Sequence, residues 1–448
     1  MAAIPPDPLS ILDDLVRRAR AHGADAADGV AVRGVSLSHN QRLGQTDGVE
    51  RSEGEDIGLR VFVGQRQAIV SGSDTAPAAL DLLAERAVLM ARVVPEDAFC
   101  GLAPAADLAQ EIPDLDLDDP AEPAPQDLAG LAAALEDAAR AVPGITNSEG
   151  ASASWGRTTV ALVTSNGFAQ SYASSHRSLG VSVLAGEGTS MEADYDYATS
   201  IFADDLPDPA KLGRRAGERT VRRLGAERIP STSLPVIFEP RIAGGFLSSL
   251  AGAITGPAVA RGTSFLKDSL GKLIFADGVN VIDDPLRRRG LRSRAFDGEG
   301  LPPHRRAVIA DGQLTTWLLD LRSARQLGLT STGHASRGTS GPPSPSPSNL
   351  YMEAGSRSPE EMIGETRYGL YVTSLMGQGV NMVTGDYSRG ATGILIENGQ
   401  LTKPVTEVTI AGNLKDMLRR LEPASDLVFR YGIDSPTVRI DGMSLAGS

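Results

Sequence analysis

The stretch from Glu239 to Arg261, EPRIAGGFLSSLAGAITGPAVAR, constrains the fold of this chain more than any other. The short apolar run LPVIF at 234–238 reads as a strand, and it feeds directly into a stretch with the length and apolar content of a core helix. Pro240 suits the first helical turn, where a backbone N–H has no partner to lose, and Pro257 marks the stop. Between them Gly244, Ser248, Gly252 and Gly256 recur every four residues, which sets four small side chains in one row along a single face. Something therefore approaches that face closely. Either another backbone packs there, or small residues have replaced the reactive side chains of a site. From Ile242 to Ala260 there is no His, Asp, Glu, Cys or Lys, so the helix carries no reagent.

The chain before it alternates helices and strands. Residues 9–22 place Leu9, Leu12, Leu15, Val16 and Ala19 on one side of an amphipathic helix. Segment 29–39, IGLRVFVG and QAIVSG read as antiparallel strands, with Asn40 to Asp56 a polar stretch between the first two. Segments 76–92, 127–142 and 209–223 read as helices, and VALVTS and FAQSYASSH flank Asn166-Gly167 as a hairpin. This order predicts an α+β fold, with an N-terminal domain over 1–228 built as an antiparallel or mixed sheet flanked by helices. Its acidic, Pro-rich segment 94–126 reads as a surface loop or linker whose acidity serves solvation. Residues 229–448 predict a strand-rich C-terminal domain around the central helix 240–257, with tight turns at Asp311-Gly312 and Asn398-Gly399. Within it, 328–349 is a Gly/Ser/Pro segment without apolar periodicity, expected to be a mobile loop.

Several function classes drop out. With 43 basic against 56 acidic residues, a net charge of −13 speaks against a nucleic-acid surface. The single cysteine, Cys100, excludes an intramolecular disulfide framework and a multi-cysteine zinc site. No apolar stretch is long enough to span a membrane and the N-terminus lacks signal-peptide character, so a cytoplasmic location is the expectation. His22, His39, His176, His304 and His334 are never at the spacing that puts two metal ligands on one helical face. Asp194, Asp196, Asp204 and Asp205 lack the glycine of a calcium loop. Ser264 and Lys267 match S-x-x-K without its partner motifs S-D-N and K-T-G. His334, in the Gly/Ser/Pro loop, is either a solvated histidine or part of a binding cleft.

Three longer segments carry a resemblance: IAGGFLSSLAG, TGHASRGTSGPPSPSPSNLYMEAG and GQGVNMVTGDYSRGATGILIENGQLTKPVTEVTIAGNLKDML. Together they resemble the TldD/PmbA family, once called modulators of DNA gyrase, and specifically its PmbA branch, also called TldE. The resemblance implies a heterodimeric peptidase. Its TldD subunit carries zinc on an HExxxH helix that follows a Gly-Gly pair, and the complex degrades or trims unfolded peptides, leader peptides included. Laid on Gly244-Gly245, that pattern puts Ser248, Ser249 and Ala253 at the His, Glu and His positions. The TldD cysteine has no counterpart between Val428 and Ser435. The resemblance thus implies a chain without cofactor or catalytic residues of its own, with zinc in the TldD-like partner. Gly244, Gly252, Gly256, His334 and Arg337 are then the candidates for a peptide chamber or gate. The alternative is a standalone regulatory protein, a homodimer acting on gyrase or a toxin–antitoxin pair.

Overall fold

The structure is a computed structural model that describes residues 7–447. The N-terminal half comprises α1 (Pro8–Ala21), β1 (Ala26–Arg42), β2 (Gln45–Val63), β3 (Arg66–Gly72), α2 (Pro77–Val93), α3 (Pro125–Arg140), β4 (Ile145–Thr164), β5 (Ala169–Ala185), β6 (Glu192–Ser200) and α4 (Pro209–Val221). Its strands form one antiparallel sheet in the order β3-β2-β1-β4-β5-β6, curved as a half-barrel. Asp7 caps α1 by accepting from the Leu9 amide, and the helix buries Leu12 and Leu15 against Ile57 and Leu59 of β2. At the other end of the sheet α3 and α4 bury Leu135 and Leu212 beside Trp155 and Leu179.

Two expectations change here. Asn40 to Asp56, a polar stretch between strands in the sequence, is itself strand: β1 and β2 continue through it as a long hairpin turned by Leu43 and Gly44, both at positive φ (52° and 74°). Its far strand is exposed on both faces, so the sequence shows no alternation there although the backbone pairs continuously. Segment 94–126 is likewise more than a solvated linker. Leu108, Leu115 and Leu117 are buried, Arg157 grips Asp118 with two bonds of 2.8 and 2.7 Å, and Arg289 of the C-terminal half lies 2.7 Å from Asp116. Its carboxylates strap the two halves together.

The C-terminal half runs β7 (Thr232–Phe238), α5 (Pro240–Ala253), α6 (Gly256–Ala260), β8 (Val281–Asp283), β9 (Arg306–Ala310), β10 (Gln313–Leu314), α7 (Leu321–Leu327), β11 (Ala335–Ser336), β12 (Ser344–Pro345), β13 (Leu350–Met352), α8 (Pro359–Gly364), β14 (Tyr368–Met376), β15 (Asp386–Glu397), β16 (Gln400–Asn413), α9 (Leu414–Arg419), β17 (Leu421–Pro423), β18 (Ile433–Asp434) and β19 (Val438–Ala446). Strands β16-β15-β14-β7-β19 close into a barrel through a further β16–β19 pairing. A smaller sheet, β10-β9-β8-β13-β18, stands beside it. α5 packs between the two, with its Phe246 ring 4.9 Å from Phe238 of β7 and 5.9 Å from Tyr387 of β15.

The stretch expected as one helix to Pro257 is two. Thr255 is drawn into a bridge with Leu318, whose amide donates to the Ile254 carbonyl at 2.9 Å while its carbonyl accepts from the Gly256 amide at 2.8 Å. Those two bonds replace helical ones, and Pro257 opens α6 instead of closing α5. The halves meet over a separate apolar cluster, in which Phe296 packs edge-on against Phe168 and Tyr172 with ring centroids 5.1 and 5.2 Å away.

Candidate functional site

α5 buries Ala243, Phe246, Leu247 and Leu250 and leaves Ser248 and Gly252 exposed. The row of small residues has three members on this helix. A Cβ on Gly244 would stand 3.2 Å from the Ile433 carbonyl oxygen, and one on Gly252 3.3 Å from Met382 Cε, so both accept close neighbours. Gly256 belongs elsewhere: on α6 it faces α7, where a Cβ would lie 2.2 Å from Ser323 Oγ. Its expected place in the row is corrected by the break after Ala253.

Ser248 Oγ donates to the Gly244 carbonyl at 3.2 Å and Ser249 Oγ to that of Gly245 at 3.0 Å. Ala253 is fully buried. Hydroxyls bonded back to their own helix with no base beside them are neither zinc ligands nor proton acceptors. The donor set at these three positions does not fit a zinc ion. Among the described residues no three His, Cys, Asp or Glu side chains gather into a group able to hold a metal.

Chemistry concentrates instead at the first turn of α5. Arg241 donates from Nε to Glu239 at 2.8 Å and from Nη1 to Asp194 at 2.9 Å and to the Tyr195 carbonyl at 2.8 Å, tying α5 to the edge strand β6. Burial pushes the Glu239 carboxyl above its usual range although Arg241 draws it down. Its two carboxylate partners hold the Arg241 guanidinium charged against the opposing effect of burial. The guanidinium lies 4.7 Å from the centre of the Tyr195 ring, which stacks on Tyr197 at 6.2 Å, and Tyr197 meets Tyr431 at 4.9 Å. Burial raises the Tyr197 hydroxyl to about 12, so it stays a neutral donor.

This aromatic line leads into a cleft of 430 Å³ between the curved face of β5–β6 and the C-terminal half, with Arg292, Arg430 and His176 in its walls. Burial lowers His176, favouring the neutral ring, and Gly156 leaves room for it: a Cβ there would sit 2.4 Å from the imidazole. A cleft with guanidinium and hydroxyl donors suits an extended polypeptide, whose carbonyls accept such bonds whatever its sequence.

The remaining positions singled out in the sequence fall outside this cleft. His334 is buried, with Nδ1 2.8 Å from Thr332 Oγ1 and Nε2 3.2 Å from Asp283 Oδ1. Ser348 donates to the same Asp283 oxygen, so the three form a structural knot and not a serine–histidine relay. Burial opposes the charge on Asp283, yet the bonds from His334 and Ser348 hold its pKa below the usual value. Arg337 is paired with Asp28 of β1 at 2.6 Å, and the Thr339 backbone abuts Gly58 of β2. The loop 328–349, expected to be mobile, is thus pinned from both domains. Ser264 accepts from the Leu266 amide while Lys267 points to solvent, so S-x-x-K is not assembled. The four aspartates also separate: Asp194 and Asp196 pair with Arg241 and Arg219, and Asp205 with Arg289.

A half-barrel sheet joined to a closed barrel, with a helix of small residues packed against the barrel, is the architecture this chain shares with a class of metallopeptidase. Models of the PmbA/TldA metallopeptidase domain 1, central domain and C-terminal domain match residues 27–91, 118–224 and 231–447. The chain belongs to the PmbA/TldD metallopeptidase family. It is 38% identical over 442 residues to Metalloprotease PmbA of Escherichia coli O157:H7, covering 98% of this chain and 96% of that one. It is 36% identical to the Metalloprotease PmbA homolog of Haemophilus influenzae, covering 95% and 93%. Among solved structures, a candidate modulator of DNA gyrase from Bacteroides thetaiotaomicron superposes with a TM-score of 0.90 at 26% identity, covering 98% of each chain. TldE from Thermococcus kodakarensis gives 0.87 at 20% identity over 97% and 99%.

Sequence reasoning missed Arg241, Tyr197 and Tyr431. A signal existed for the first: a lone arginine in the opening turn of an apolar helix needs a partner, and Glu239 two residues earlier is one.

Proposed function

We propose that this chain is the TldE-like subunit of a two-chain peptidase, in which a TldD-like partner supplies the metal and the base. The observation that carries the reading is the face of α5. Ser248, Ser249 and Ala253 offer no ligand or base, while the fold around them is kept and Ser248 stays exposed beside Gly252. In this reading the chain shapes a chamber for unfolded peptides, leader peptides among them. Arg241, Tyr197 and Tyr431 line the approach, and the side-chain donors of the cleft offer bonds to the carbonyls of an extended substrate.

The test mixes the full chain with a TldD-like chain and an unfolded peptide. A complex on size exclusion, with cleavage that needs both chains and stops on chelation, is the expected result. Cleavage by this chain alone in the presence of EDTA overturns the inert-subunit part of the reading. Absence of any complex overturns the pairing and favours the standalone homodimeric regulator.

A further inference from the structure

Where the two domains meet, β1, β4 and β5 face the segment 294–298 and β11 across a cavity of 110 Å³. The sheet wall is made by Val30, Val160, Leu162 and Tyr172; the opposite wall carries Arg294, Phe296, Asp297 and Arg337. The Arg337 side chain is 1% exposed. Its Nη1 donates to Asp28 Oδ1 at 2.6 Å, while its Nε and Nη2 have no partner among the described residues.

Those two nitrogens are one edge of the planar guanidinium, the edge that matches a carboxylate with two parallel bonds. Elsewhere in this chain the same edge is filled. Arg157 presents Nε and Nη2 to Asp118 at 2.8 and 2.7 Å, and Arg357 does the same to Glu422. Arg337 cannot draw a second carboxylate from its surroundings. Asp28 is shared with Arg60, whose Nε lies 3.0 Å from Oδ2 and whose Nη1 stands 3.7 Å from Glu299, so the carboxylate that Arg337 holds is already divided between two guanidinium groups. Asp297 is turned to the backbone, accepting from the Glu299 and Leu301 amides at 2.9 Å each and from Ala335 at 3.2 Å. Burial also raises its pKa and favours the neutral acid. Arg294 adds to the deficit: its Nη1 and Nη2 donate to the Ala335 and Ser346 carbonyls, and its Nε has no partner among the described residues.

We propose that this cavity binds a carboxylate borne on a short aliphatic group, with the Nε–Nη2 edge of Arg337 gripping the two oxygens and Val30, Val160 and Leu162 enclosing the carbon chain. The volume sets the size. A cavity of about 150 Å³ takes benzene, so 110 Å³ takes a group about as large as propionate. Two sources share this chemistry: a free short-chain acid, and the C-terminal carboxylate of a polypeptide whose body lies in the 430 Å³ cleft, which shares Tyr172 with the cavity. The site stands whether or not the chain works in a peptidase.

Titration calorimetry of the full chain with propionate and with propionamide, its neutral isostere, tests the assignment. One propionate per chain is expected, with propionamide at least tenfold weaker. Arg337→Gln is expected to weaken propionate at least tenfold. Because that variant also loosens Asp28, Val160→Phe serves as an independent check: it fills the cavity, leaves the ion pairs in place and is expected to remove binding while thermal melting stays cooperative. The tripeptide Ala-Ala-Val and its C-terminal amide separate the sources. Competition with propionate by the free acid alone assigns the site to peptide ends; no competition by either assigns it to free acids. Equal binding of propionamide, unchanged affinity in both variants, or only water beside Arg337 in crystals soaked in propionate overturns the proposal.

Discussion

Arg241 Nη1 and Asp194 Oδ1 stand 2.9 Å apart, with side chains 6% and 2% exposed, and they join the first turn of α5 to the edge strand of the other domain. An ion pair so deeply buried is costly to break from one side, because the partner is left charged without compensation. Arg241→Met is expected to lower stability by about 3 kcal/mol. Asp194 keeps the bond from the Tyr195 amide at 2.8 Å, and its remaining cationic contact is the longer one to Arg223 at 3.6 Å. Urea melts of the two chains measure the loss, and a change below about 1 kcal/mol would show that the pair does not couple the domains.

Glu299 sets a pH dependence. Burial, aided by Asp297 and opposed by Arg60, pushes its carboxyl from 4.5 up to about 8. Below pH 4.5 folded and unfolded chains both hold the proton. Between 4.5 and about 8 only the unfolded chain releases it, so stability is present at low pH and is lost as pH rises through that window. The full effect is on the order of a few kcal/mol. Glu299→Gln keeps an acceptor for the Leu321 amide and is expected to flatten the slope of unfolding free energy between pH 5 and 8. An unchanged slope would place the titrating group elsewhere.

Gly58 of β2 touches the 328–349 loop. A Cβ there would lie 2.1 Å from the Thr339 carbonyl oxygen, a backbone atom that cannot swing aside. Gly58→Val is expected to cost about 1–3 kcal/mol and to lift the loop tip off the sheet. Limited proteolysis reads this directly, as new cleavage between Gly338 and Gly341 in the variant.

Ser248 and Ser249 bond only their own helix. Replacing both by Ala is expected to leave peptide cleavage by a reconstituted two-chain enzyme within twofold. It is also expected to stabilise the helix by a few tenths of a kcal/mol, since Ala is the better helix former. A hundredfold loss of kcat would make one of them a nucleophile and refute the inert-face reading.

The sequence revealed what is decided locally. Asp311-Gly312 and Asn398-Gly399 adopt the paired positive φ angles that such dipeptides favour (48° and 76°, 53° and 78°), so the hairpins were legible. The identity of the small row on α5 was legible too, through residue type alone. The break at Thr255 was not, because its cause is Leu318, distant in the chain. Nor was the anchoring of 328–349: its Gly, Ser and Pro composition signals freedom, whereas Arg337 finds its carboxylate on β1 of the other domain. Buried ion pairs leave no periodic trace, so Arg241 with Asp194 and Arg337 with Asp28 became visible only once both domains were in place.

The closed barrel has a consequence for how the chain is made. β7 is flanked by β14 and β19, and β19 follows it by about two hundred residues, so no strand within reach can cover β7 early in synthesis. The N-terminal sheet draws all its strands from before Ile201 and can close while translation continues. During that interval β7 and α5 wait on the ribosome with an open edge and an apolar face. That makes the window between β7 and β19 the part of synthesis in which an unpaired strand edge and an apolar helix face stand open together.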